Sequence, residues 1–132
     1  MERALHKVAE LLSFTKYRGL ETTFTNMQQL YDTSLKTDQL VWIYADWCGP
    51  CQRSQPSWSN AKELINRNKY PLKMHSIDGS KYADVSKTLK VKGYPTFLLL
   101  SKRTDSSNNL TCEATDCRDE EKFAKQLSER YP

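Results

Sequence analysis

Apolar residues recur along this chain with two different periods. Ala4, Leu5, Val8, Leu11 and Leu12 stand three and four residues apart, with Glu2, Arg3, Lys7 and Glu10 between them. That spacing collects the apolar side chains on one side and predicts an amphipathic helix over residues 2–14, ended by Lys16-Tyr17-Arg18-Gly19. A second helix is expected from about Thr25, where Thr25-Asn26-Met27-Gln28 has the form of a capping box, and Leu30, Tyr31 and Leu35 continue it. Leu40-Val41-Trp42-Ile43-Tyr44-Ala45 is apolar without alternation, the pattern of a strand buried on both faces. From Gly49 to about Arg67 the period is helical, with Trp58, Ala61 and Ile65 on one stripe. Pro50 is tolerated in the first turn, where its missing amide has no intrahelical partner, whereas Pro56 is expected to kink the helix.

Leu72 to Ile77 predicts another strand, Ala83 to Lys90 a short helix, and Thr96 to Ser101 a third strand opening just after Pro95. Asp105-Ser106-Ser107-Asn108-Asn109 is a turn that leads to a brief strand around Leu110 to Glu113. A final helix, capped near Asp119 with Glu120 and Glu121 in its first turn, is expected to pack Phe123 and Leu127 inward. From residue 25 the order is α-β-α-β-α-β-β-α, an α/β architecture with helices on both faces of a small mixed sheet.

Composition narrows this picture in three ways. A chain of 132 residues suits one domain, and seven Tyr, four Phe and three Trp are enough for its core. Twenty basic residues against 16 acidic ones leave a net charge of +4, scattered along the chain, which gives no reason to expect a nucleic-acid partner. No apolar run approaches the roughly 18 residues of a membrane span, so no membrane association is expected. The first residues lack the apolar core of a secretory signal, and the last residues are no retention signal. On that basis the chain is expected in the cytoplasm, where four cysteines serve catalysis or metal binding more readily than structural bridging.

Cys48-Gly49-Pro50-Cys51 stands where the buried strand gives way to a helix. Unpaired amides and the positive helix end there stabilise a thiolate, so Cys48 is expected to have a depressed pKa and to act as the nucleophile. Cys51, one turn up the same face, can attack the resulting mixed disulfide, and is expected to be the more buried sulfur. A bare C-x-x-C is also shared with zinc sites. Here Trp47 precedes the pair, and Gly49-Pro50 separates it at a strand-to-helix junction.

With these residues the chain resembles the thioredoxin superfamily over roughly residues 22–131. Pro56 stands at the family's helix kink, Ile77-Asp78 ends a strand in the family manner, and Gly93-Tyr94-Pro95-Thr96 looks like the family's cis-proline loop. The resemblance implies a thioredoxin fold over 22–132, preceded by an N-terminal helical extension over 1–21. It also implies dithiol–disulfide exchange by Cys48 and Cys51, supported by Trp47, Gly49 and Pro50. A cis Pro95 would lie beside the cysteines, with the Tyr94 backbone pairing to an extended substrate strand. The implied partners are protein disulfide substrates and an external thiol or flavoenzyme reductant. A monomer is expected, with no metal and no dissociable cofactor, since the dithiol itself carries two electrons.

Two positions depart from the family. A buried acid usually stands six residues before the nucleophile, where this chain has Trp42, and the lysine usually paired with it maps to Met74. Losing both charges together is electrostatically consistent. It leaves no evident base for Cys51, so resolution of the mixed disulfide is expected to be slower, with water or a distant group accepting the proton. Gly49-Pro50 is the thioredoxin dipeptide and favours a reductase, while Tyr44-Ala45-Asp46-Trp47-Cys48 and Gly93-Tyr94-Pro95-Thr96 look closer to protein disulfide isomerases. Isomerase or oxidase activity is the alternative, a non-catalytic thioredoxin-fold binding module the second.

Cys112 and Cys117 lie outside the motif. They are expected to stay reduced, with a reversible second disulfide or a four-cysteine zinc site as alternatives. Trp47 is expected to shield the nucleophile and contact substrate, Trp42 and Trp58 to belong to the core, and His6 and His75 to be structural. Arg53, Lys62, Arg67 and Lys69 are expected to form a solvated helix face.

Overall fold

The structure, a computed structural model, describes residues 21–105 and 109–132. The helix expected over residues 2–14 lies outside the described residues. In chain order the elements are β1 (Glu21–Phe24), α1 (Met27–Ser34), β2 (Asp38–Tyr44), α2 (Gly49–Arg53), α3 (Gln55–Asn68), β3 (Leu72–Asp78), α4 (Ala83–Thr88), β4 (Thr96–Leu100), β5 (Cys112–Thr115) and α5 (Glu120–Arg130). The strands form one sheet in the order β1-β3-β2-β4-β5. β1, β3 and β2 run parallel, while β4 pairs antiparallel with β2 and with β5.

The unalternating apolar run of β2 follows from its central place. Side chains of a strand alternate between faces, so both faces need cover when helices pack on each. Leu40 and Trp42 point to one core with Met74, Phe97 and Leu99, closed by Trp58, Ala61 and Ile65 of α3 and Phe123 and Leu127 of α5. Val41 and Ile43 point to the other with Ile77 and Leu100, closed by Met27 and Leu30 of α1 and Val85 of α4. Fully burying such a side chain stabilises the fold by about 1.5–3 kcal/mol.

Four expectations need correction. The capping box exists but sits one residue later: Asn26 accepts from the Gln29 amide at 3.0 Å, and the Gln29 side chain accepts from the Asn26 amide at 3.2 Å. The helix from Gly49 is two helices meeting at Ser54. Pro56 has no amide to give the Gln52 carbonyl, so the ladder breaks there and restarts. β5 starts at Cys112 instead of Leu110, with Cys112 opposite Leu100. Lys62 is buried, not solvated, while Arg53, Arg67 and Lys69 are exposed. β1 is an addition. It is a four-residue edge strand, too short to show a period.

His75 is core, as expected, but at a cost. It lies 3% exposed in β3, stacked on Phe24 at 4.0 Å, and neither ring nitrogen has a hydrogen-bond partner. Burial first, and Lys73 second, push its pKa down to about 4. Above pH 6.5 the ring is neutral both folded and unfolded and contributes no pH dependence. Between pH 6.5 and about 4 the unfolded chain takes up a proton that the folded chain refuses, so stability falls as pH falls. The expected loss across that window is roughly 3 kcal/mol. Urea unfolding at intervals from neutral pH to pH 4 checks it against His75→Phe. The variant is expected to lose less stability than wild type on acidification, and equal losses would refute the assignment to His75.

Candidate active site

β2 delivers the chain to the helix entrance. After Tyr44 the chain turns, the Cys48 amide donates to the Ala45 carbonyl at 3.1 Å, and α2 begins at Gly49. Cys48 is the N-cap: its backbone is extended and its sulfur accepts from the Cys51 amide at 3.1 Å. A sulfur thus satisfies one of the orphan amides that serine or aspartate usually caps. Pro50 adds no amide needing a partner, and its carbonyl accepts from the Ser54 hydroxyl at 2.7 Å. A Cβ at Gly49 would meet the Arg53 guanidinium at 3.3 Å, a tight contact that only a shift of that side chain relieves.

Cys48 and Cys51 are joined as a disulfide with Cα atoms 5.2 Å apart, an ordinary separation for such a bond. Cys51 is 2% exposed and Cys48 5%. The expected asymmetry of burial is therefore slight, and it is position in the turn that distinguishes the two sulfurs. Cys48 precedes the helix beside Trp47, which is 71% exposed, and Cys51 lies inside the first turn.

Trp47 stands edge-on to Tyr94, ring centres 5.8 Å apart. This contact joins the cysteine turn to the loop before β4, where the Tyr94–Pro95 peptide is cis. Tyr94 is held from behind: its hydroxyl lies 3.1 Å from that of Ser86, which donates to the Gly79 carbonyl at 2.8 Å. A Cβ on Gly79 would come within 2.8 Å of the Tyr94 ring and closer still to Ser86 and Ile43. Gly79 and Ser86 therefore set where Tyr94 stands. Sequence reading missed both, because nothing in a lone Gly or Ser reveals which ring will approach it.

Behind Cys51 lies a cleft of about 350 Å³ whose walls include Cys51, Trp42, Thr23, Ser76 and Asp46. Trp42, expected in the core, is there, 5.2 Å ring to ring from Trp58, with its indole nitrogen buried and unpartnered. Met74 lies in the same apolar cluster.

Cys112 and Cys117 are both free thiols. Cys117 is buried, and desolvation, with the Asp116 charge second, pushes its pKa up to about 12. Burial raises Cys112 as well. Thiols so shifted are poor nucleophiles at neutral pH. Among the described residues no group of three or more His, Cys, Asp or Glu is placed to hold a metal ion, and no helix is long and apolar enough to cross a membrane.

Comparison with known proteins agrees with this arrangement. Protein disulfide-isomerase A4 of Rattus norvegicus is 26% identical over 84 residues, 62% of this chain but 13% of that protein's length. Mitochondrial thioredoxin 3 of Saccharomyces cerevisiae, in its oxidized form, superposes with a TM-score of 0.59 at 25% identity, covering 80% of this chain and 93% of that one. The first thioredoxin domain of mouse protein disulfide-isomerase A4 superposes with a TM-score of 0.65 at 22% identity, covering 81% and 72% respectively. The thioredoxin family profile matches residues 21–129, and on that match, together with the fold and the disulfide at the head of α2, this chain belongs to the thioredoxin family.

Proposed function

We propose that the protein is a thiol–disulfide oxidoreductase that reduces protein disulfides with Cys48 and Cys51. The observation that carries this reading is the Cys48–Cys51 disulfide at the entrance of α2, beside the exposed Trp47. In the reduced protein the Cys48 thiolate attacks one sulfur of a substrate disulfide. A Cys48–substrate bond forms and the other substrate sulfur leaves as a thiolate that takes up a proton. Cys51, once deprotonated, attacks the Cys48 sulfur and expels the second substrate thiolate, which is protonated in turn. Two electrons pass to the substrate, and an external thiol or flavoenzyme reductant restores the dithiol. Trp47 and Tyr94 offer an apolar wall to the substrate, and the backbone at Tyr94 and Pro95 offers strand-like pairing.

The Gly49-Pro50 dipeptide supports the reducing direction. The similarity to protein disulfide-isomerase A4 supports a second reading, isomerisation or oxidation of protein disulfides. Equilibration with glutathione buffers separates them. A potential near −270 mV, about that of thioredoxin, is expected, and one near −180 mV, about that of protein disulfide isomerase, would reverse the direction. A Cys48–Cys51 pair that never cycles between dithiol and disulfide would overturn both readings.

A further inference from the structure

We propose that Asp46 accepts the proton of Cys51 through water held in the cleft behind that sulfur, an inference that rests on the oxidoreductase reading above. Before Cys51 can attack, its thiol must lose a proton, yet the residue is 2% exposed. The cleft gives that proton a route. Cys51, Trp42 and Ser76 are buried in its walls, while Asp46, Gln52 and Gln55 are exposed lining residues.

Two features make it a place for water instead of an apolar void. Its volume of about 350 Å³ admits several molecules. In its walls the Thr23 and Ser76 hydroxyls lie 3.4 Å apart, able to donate and to accept. Of the lining residues Asp46 carries the one carboxyl group. The Gln52 amide donates to the Asp46 carbonyl at 3.0 Å, tying Asp46 to the helix turn that carries Cys51. Among the described residues the Asp46 carboxylate makes no ion pair or hydrogen bond of its own.

The proton then passes from the Cys51 sulfur to cleft water and on to the Asp46 carboxylate. The Cys51 thiolate forms the bond to Cys48, the Cys48–substrate bond breaks, and the departing thiolate takes a proton from solvent as Asp46 returns its own. Asp46 stands at the rim, so it takes over from outside the cleft what Trp42 and Met74 cannot do from within.

Quenched-flow single turnovers with insulin as the disulfide, trapped by acid and alkylated, resolve the two steps. In wild type, resolution of the mixed disulfide is expected to be nearly flat between about pH 6 and 8, because a fixed base and not hydroxide takes the proton. In Asp46→Asn the mixed disulfide is expected to form at least as fast, but to resolve about tenfold or more slowly at pH 7, with a rate rising tenfold per pH unit. Asp46→Glu is expected to restore the flat profile. Wild-type resolution that itself rises tenfold per pH unit, or Asp46→Asn resolving like wild type, would overturn the proposal. Absence of any mixed disulfide in wild type would instead overturn the oxidoreductase reading on which it rests.

Discussion

Replacing Cys51 by serine is expected to turn the protein into a trap. The Cys48 thiolate still attacks, but a serine hydroxyl has neither the acidity nor the nucleophilicity to displace it from the substrate sulfur. Covalent complexes with protein disulfides therefore accumulate, and insulin turnover falls by about a thousandfold or more. Cys48→Ser is expected to lose turnover to the same extent while forming no complex at all. The pair of variants thus reads the assignment of roles, which burial does not, since the two sulfurs differ only between 5% and 2% exposed. Non-reducing electrophoresis after incubation with oxidised insulin makes the comparison. Trapping by Cys48→Ser, or by neither variant, would remove the proposed order of attack. Both substitutions exchange a small side chain for one of nearly the same size, so neither is expected to unfold the domain.

The features legible in the sequence are those whose cause is local or periodic. β2 and β4 announced themselves through the unalternating apolar runs Leu40 to Ala45 and Phe97 to Leu100, as expected of strands covered on both faces. α5 did so through Asp119, whose side chain accepts from the Lys122 amide at 3.3 Å, and through Phe123 and Leu127 on one stripe. Cys48 and Cys51 were legible because chemistry and spacing coincide in four residues. The missed features depend on which residues meet across the fold. β1 is a strand only because β3 pairs with it, from Glu21 opposite Met74 to Phe24 opposite Ile77. Gly79 matters because Tyr94 comes from fifteen residues on to lie against it. The shift of the capping box from Thr25 to Asn26 is the opposite case, a local choice between two adjacent candidates. There the Gln29 side chain reaches both the Thr25 and Asn26 amides, at 2.7 and 3.2 Å, and so decides the register.

Trp42 carries the second large expectation. Its ring lies 5.5 Å from Tyr44, 5.2 Å from Trp58 and 6.1 Å from Phe97, and so joins β2, β4 and α3 in one aromatic cluster. Trp42→Ala removes the centre of that cluster and leaves a cavity beside Trp58 and Phe97, whose rings already stack on each other at 6.3 Å. The expected loss is about 3–5 kcal/mol by urea unfolding, a large share of the 5–15 kcal/mol typical of a domain. Trp42→Phe keeps a ring in place and is expected to cost only about 1–2 kcal/mol. Trp42→Asp separates packing from charge. Met74 offers its carboxylate no cation, so burial would hold it protonated above its unfolded pKa of about 3.9. The unfolded chain would then release its proton first as pH rises, and Trp42→Asp is expected to lose stability relative to Trp42→Ala between pH 4 and 7. Adding Met74→Lys is expected to recover part of that loss at pH 7, and none in the Trp42→Ala background. Equal stability of Trp42→Asp and Trp42→Ala throughout that range would mean that the cleft already solvates a carboxylate at this position. The apolar setting of Trp42 would then not explain why the chain carries no charge there.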